Sequence, residues 1–167
     1  MAQTRVLVAS GEMAIVKMVF EMLTTAGCQV TAVTRITLMG KESKRLLVRA
    51  PNPDFTGTVE AVLDLAEQRF DVAFIDNHLG RHNGHVLVPM MMNAFMVGIS
   101  AEKEDREVLA RAEPGVQVAL LRPSDLRIAL TGNLAVNEFE WRDDFDISCR
   151  RIVLAAIYKQ LGVVEKK

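Results

Sequence analysis

Apolar positions along this chain fall into two rhythms, short unbroken runs that suit buried strands and longer stretches in which they recur every three or four residues. Arg5–Ala9 is a run of the first kind, and Ser10 after it is a candidate helix N-cap. Ile15, Met18, Val19, Met22 and Leu23 then recur at helical spacing until Gly27 ends the segment. Gln29–Val33 predicts a second strand, Gly57–Arg69 a helix with Val59, Val62, Leu63 and Ala66 inward, and Val72–Ile75 a third strand. Val86–Val97 predicts a helix, prolonged through the charged stretch Ile99–Glu113 with Val108, Leu109 and Ala112 inward. Val116–Leu121 predicts a fourth strand, Ser124–Leu130 a short helix, Leu134–Val136 a fifth strand and Asp144–Leu161 a closing helix. Strands alternating with helices imply an α/β fold with a doubly wound parallel sheet.

The spacing between the second strand and the next helix is too long for a simple connection. Residues 34–56 add roughly twenty residues where a βα loop needs about 2–6. Leu38, Leu46, Leu47 and Val48 are too apolar for a solvated coil, and Pro51 and Pro53 stiffen the return, so an ordered insertion is expected. The 167 residues otherwise fit a single domain, half of them hydrophobic and a quarter charged. A net charge of −1 offers no general attraction to nucleic acid or an anionic membrane, and neither is expected as a partner. Cys28 and Cys149 are the two cysteines, far apart and without metal-type spacing. With no signal-peptide pattern at the N-terminus and no long apolar span, they suggest reduced thiols in a cytoplasmic protein.

The richest chemistry lies in Phe70–Val88, FDVAFIDNHLGRHNGHVLV. An apolar strand there delivers Asp76 to a loop punctuated by Gly80 and Gly84, and ligands of open parallel sheets gather beyond the carboxyl ends of strands. The three histidines of the chain, His78, His82 and His85, all follow within nine residues of Asp76. Imidazole and carboxylate together suit a transition metal, although the spacing matches no standard motif and the glycines argue against one helical face. Loop histidines of this kind are more often simply solvated.

Two segments carry a family resemblance. TRVLVASGEMAIVKMVFEMLTTAGCQV is similar to the first strand, acidic turn, first helix and second strand of response-regulator receiver domains, and FDVAFIDNHLGRHNG to their third strand and phospho-acceptor loop. The resemblance implies a flavodoxin-like (βα)5 sheet in the order 2-1-3-4-5, no enzymatic output of its own, and Asp76 as phospho-acceptor. Receivers hold a divalent cation, commonly Mg²⁺, with an acidic pair after the first strand plus the acceptor, and neutralise the acyl phosphate with a Lys after the fifth strand. Here the pair reads Ser10–Gly11, with Glu12 the nearest acid, and no Lys stands between Lys103 and Lys159. The hydroxyl residue expected after the fourth strand falls at Arg122, with Ser124 two residues on.

These departures describe a pseudo-receiver, expected to act through protein contacts without phosphorylation. Arg122 could instead pair with Asp76 in place of metal and Lys, or simply point to solvent. The competing readings are an active phospho-acceptor in which Glu12 and Ser124 serve, and a metal- or ligand-binding protein built on the histidine loop. The resemblance implies a histidine kinase or a downstream signalling protein as partner. It places the contact face, and a plausible homodimer, on Leu126, Leu130, Phe139, Trp141, Ile152 and Tyr158. Residues 35–49 hold five basic side chains against one acid, and residues 138–146 five acids against one Arg, opposed patches that could steer a partner. The run Met90–Met92 with Phe95 and Met96 reads as core more readily than as an adaptable docking surface.

Overall fold

The computed structural model describes residues 5–25, 27–79, 83–116 and 118–122. In chain order their elements are β1 (Arg5–Ala9), α1 (Met13–Thr25), β2 (Gln29–Val33), β3 (Arg35–Leu38), β4 (Arg45–Pro51), β5 (Thr58–Asp64), β6 (Val72–Asp76), two short 3-10 turns (Gly84–Leu87 and Pro89–Met91), β7 (Phe95–Ile99), α2 (Lys103–Ala110) and β8 (Val118–Leu121). Five of the strands form one parallel sheet in the order β2-β1-β6-β7-β8, the doubly wound order 2-1-3-4-5 when only its own strands are counted. All of β6 and nearly all of β1 are buried, which is why both read as unbroken apolar runs.

Each face of the sheet has its own cover. On one face Ile15, Val16, Val19 and Leu23 of α1 pack against Val6, Val8, Val72, Phe74, Val97 and Ile99. α1 closes at Gly27, whose φ of 93° is open to glycine alone at little cost, and Cys28 N–H returns to Leu23 O at 2.9 Å. On the other face Leu7, Ala9, Ala73, Ile75 and Met96 meet residues from the insertion, the 3-10 turns and Leu109 of α2. The insertion is a second, antiparallel sheet in the order β3-β4-β5, with Ile36, Leu46, Val48 and Leu63 turned inward. At the tip of its second hairpin Phe55 takes a φ of 59° and sets its ring edge-on to Phe20 of α1, 5.3 Å between centroids.

The insertion is therefore longer than expected. Gly57–Arg69 does not form a helix: Thr58–Asp64 is β5, paired with β4 from Pro51↔Thr58 to Arg45↔Asp64. Val59, Val62, Leu63 and Ala66 happen to match a helical spacing, but TVEAVLD is rich in β-branched residues and the bare edge of β4 supplies a full ladder of hydrogen bonds. Val86–Val97 is not one helix either. Pro89 lacks the N–H a helix interior requires, so the segment breaks into 3-10 turns before Phe95 enters β7.

That strand displaces the count of those after it. The fourth strand of the sheet is Phe95–Ile99, and the segment expected fourth is the fifth, Val118–Leu121. Leu134–Val136 and every residue beyond Arg122 lie outside the described residues, as do Gly80, Arg81 and His82. The charged stretch forms a helix only over Lys103–Ala110, where Leu109 and, against expectation, Arg106 are buried while Val108 is exposed. Of the methionine run, Met91 and Met96 are core and Met92 faces solvent.

Candidate functional site

Strand register brings the site together. Asp76 is the last residue of β6, opposite Ile99 of β7, and Ser10 follows β1, whose Ala9 lies beside Ile75. Both strands therefore end at one edge, and Ser10 Oγ donates to Asp76 Oδ2 at 2.8 Å in a buried contact. The other carboxylate oxygen, Oδ1, accepts His78 N–H at 3.1 Å. Ser10 does not serve as the expected N-cap, because its hydroxyl accepts Glu12 N–H at 3.1 Å and the helix starts only at Met13. Asp76 is 3% exposed, and burial pushes its carboxyl above the ordinary range, only partly offset by the His78 and Ser10 hydrogen bonds.

Two glycines allow the approach. A Cβ at Gly84 would collide with the Asp76 carbonyl oxygen, and Gly84 N–H donates to Asn77 O at 2.9 Å. Gly11 N–H donates to His78 O at 2.7 Å, and a Cβ at Gly11 would meet the same oxygen at 2.7 Å. A carboxylate-bearing residue in place of Gly11 would thus collide with the loop that carries Asp76. Glu12, next in line, is exposed.

Beside the carboxylate runs a second polar chain that the sequence did not suggest. Asn77, 3% exposed, donates from Nδ2 to Asp105 Oδ1 of α2 at 3.0 Å and accepts His85 N–H at 3.2 Å. His85 Nδ1 stands 3.2 Å from the same amide oxygen, which can only accept, so that nitrogen carries the proton. His78 Nε2 closes the chain on Asp105 Oδ2 at 2.7 Å. These bonds, with Asn77 foremost, hold the Asp105 carboxyl below its usual range. Arg106 is buried next to it, donating from one guanidinium nitrogen to the carbonyls of Ser100 and Ala101 at 2.9 and 3.1 Å, and no carboxylate pairs with it among the described residues. The helical pattern hid both partners, since charged side chains are usually read as the solvated face.

The corrected strand count also reassigns two positions. Ser100, buried, follows the fourth strand, so the hydroxyl expected there is Ser100 and not Arg122. Arg122 follows the fifth, where the resemblance looks for a cation, and Ser100 N–H donates to Leu121 O just before it at 3.2 Å. Ser124 and the expected contact residues Leu126, Leu130, Phe139, Trp141, Ile152 and Tyr158 lie outside the described residues.

The donor set does not suit a hard divalent cation. Mg²⁺ asks for carboxylate and water oxygens in octahedral array, whereas the buried carboxylate here accepts a protein hydrogen bond on each oxygen and has Gly11, not an acid, after Ser10. Among the described residues no three His, Cys, Asp or Glu side chains converge as metal ligands. His78 and His85 turn instead to Asp105 and Asn77.

No family model matches the chain, and no curated protein matches it. Solved structures with a similar chain path include the BeF3-activated receiver domain of DrrB from Thermotoga maritima, at 14% identity and a TM-score of 0.49, covering 96% of this chain and 99% of that one. A CheY-like receiver domain from Methylobacillus flagellatus is similar at 15% identity and a TM-score of 0.46, over 93% and 99% of the two chains. A response regulator from Burkholderia pseudomallei, solved with a phosphorylated aspartic acid and a calcium ion, has 15% identity and a TM-score of 0.46 over 96% and 86%. At such values the likeness carries no argument, and the fold rests on the strand order of the parallel sheet itself.

Proposed function

We propose that this protein is a receiver-like signalling module that acts through protein contacts and does not depend on an aspartyl phosphate. The observation that carries the reading is the closed Asp76 carboxylate, buried and bonded through both oxygens to Ser10 and His78. A phosphodonor must reach an ionised, accessible oxygen, and a cation must offset the charge that builds on the phosphoryl group. Burial opposes ionisation here, and Gly11 stands where a second metal-binding acid would be needed. The partner is a protein, a histidine kinase or a downstream signalling component.

A second reading, an active phospho-acceptor, draws support from Ser100 and Arg122, which supply a hydroxyl and a cation after the fourth and fifth strands. One experiment separates the two. Incubation with Mg²⁺ and a small phosphodonor, followed by intact-protein mass measurement, is expected to leave the mass unchanged. Rapid stoichiometric gain of one phosphoryl group, abolished by Asp76→Asn, would overturn the phosphate-independent reading.

A further inference from the structure

A cleft opens at the amino end of the parallel sheet, the end away from Asp76. Three stretches of chain surround it: Lys44 just before β4, residues 65–70 that lead from β5 into β6, and residues 89–94 that lead through the second 3-10 turn into β7. Backbone bonds fix how they meet. Leu65 N–H donates to Lys44 O and Phe95 N–H to Asp71 O, both at 2.9 Å, so the two lead-ins and Lys44 are tied to one rim. The cleft holds about 440 Å³, inside the range of about 300–1,000 Å³ usual for small-molecule sites.

Two kinds of side chain line it. Phe70 and Met91 form an apolar floor that the core holds in place. Met90, half-buried, and Met92, 56% exposed, stand on the wall, and unbranched thioethers can reshape around an apolar guest. Lys44 and Arg69 are the charged lining residues, both exposed, and none of the described residues of the lining is Asp or Glu. Neither cation pairs with a carboxylate among the described residues. A bare inorganic anion would use the cations and leave the methionine wall wet, whereas a neutral apolar guest would use the wall and leave the cations unused. We propose that the cleft binds a small amphipathic anion, its apolar body on Phe70 and the methionines and its acidic head group met by Lys44 and Arg69.

This site goes beyond the signalling reading and uses none of the residues around Asp76, so each stands or falls without the other. The test is an NMR titration of the full chain with octanoate, octyl phosphate, 1-octanol and inorganic phosphate, following the backbone amides of residues 65–70 and 90–94. Octanoate and octyl phosphate are both expected to shift those amides saturably, and the tighter of the two identifies the head group. Octanol, which lacks the charge, and inorganic phosphate, which lacks the apolar body, should each bind more weakly by about tenfold. Lys44→Gln and Arg69→Gln should each weaken octanoate by about fivefold. Ala66→Trp, at an exposed lining position, should block the cleft while far-UV circular dichroism shows the fold intact. Shifts that do not saturate with either amphiphile, binding no tighter than that of octanol or phosphate, or an affinity unchanged by Ala66→Trp would overturn the proposal.

Discussion

Asp76 is a carboxylate buried at 3% exposure, and its environment sets a pH dependence that can be measured. Because burial raises its pKa, the folded protein holds that proton more tightly than the unfolded chain does. Stability from this group is therefore full below the ordinary carboxyl range and declines as pH rises through the raised value. Asp76→Asn removes the ionisation, its Oδ1 can still accept His78 N–H, and its Nδ2 can donate to Ser10 Oγ in place of the bond that Ser10 now donates. It is expected to flatten the slope of Tm against pH between the ordinary and the raised pKa, and to raise Tm at neutral pH by about 2–4 °C, the equivalent of 1 kcal/mol in a chain of this size. Thermal scans across acid and neutral pH check this. A lower Tm at neutral pH with the slope retained would mean that the carboxylate is well satisfied in its charged form.

At the scale of elements, α2 is fastened to the site by Asp105. Its carboxyl binds Asn77 and His78 on the loop after β6, and Asn77 is buried, so loss of Asp105 leaves an amide donor without its protein partner. The exposed His78 contributes less, because solvent screens that pair. Asp105→Ala is expected to cost about 1 kcal/mol in denaturant unfolding, the net loss of a part-buried hydrogen bond to a charged group. The lowered Asp105 pKa gives the sign of the pH effect: its stabilisation is present above the ordinary carboxyl range and is lost as pH falls through the lowered value. The variant's deficit should accordingly shrink in strong acid. An equal deficit at all pH values would assign the loss to packing.

Across the whole molecule, stability is graded from the parallel sheet outward to the inserted one. β1 and β6 lie between neighbours on both sides and are buried on both faces, whereas β5 is an exposed edge. Hydrogen exchange is expected to be slowest over Val6–Ala9 and Val72–Ile75 and faster by orders of magnitude over Thr58–Val62. Uniform protection across both sheets would contradict this gradient. The parallel sheet's early strands and α1 were legible from sequence, because fully buried strands and an amphipathic helix leave local periodic signals. The nature of β5 was not, since TVEAVLD satisfies both helical spacing and strand propensity and only the free edge of β4 decides between them. Pro89 was visible, yet without the sheet nothing showed that Phe95–Ile99 would fill the place between β6 and β8, which in turn moved the hydroxyl position to Ser100. By itself the sequence determined the first three strands of the central sheet and that Asp76 stands at the end of one of them. Tertiary structure decided which strands pair and which oxygens Asp76 shares, because hydrogen bonds between distant segments depend on neighbours that local pattern does not encode.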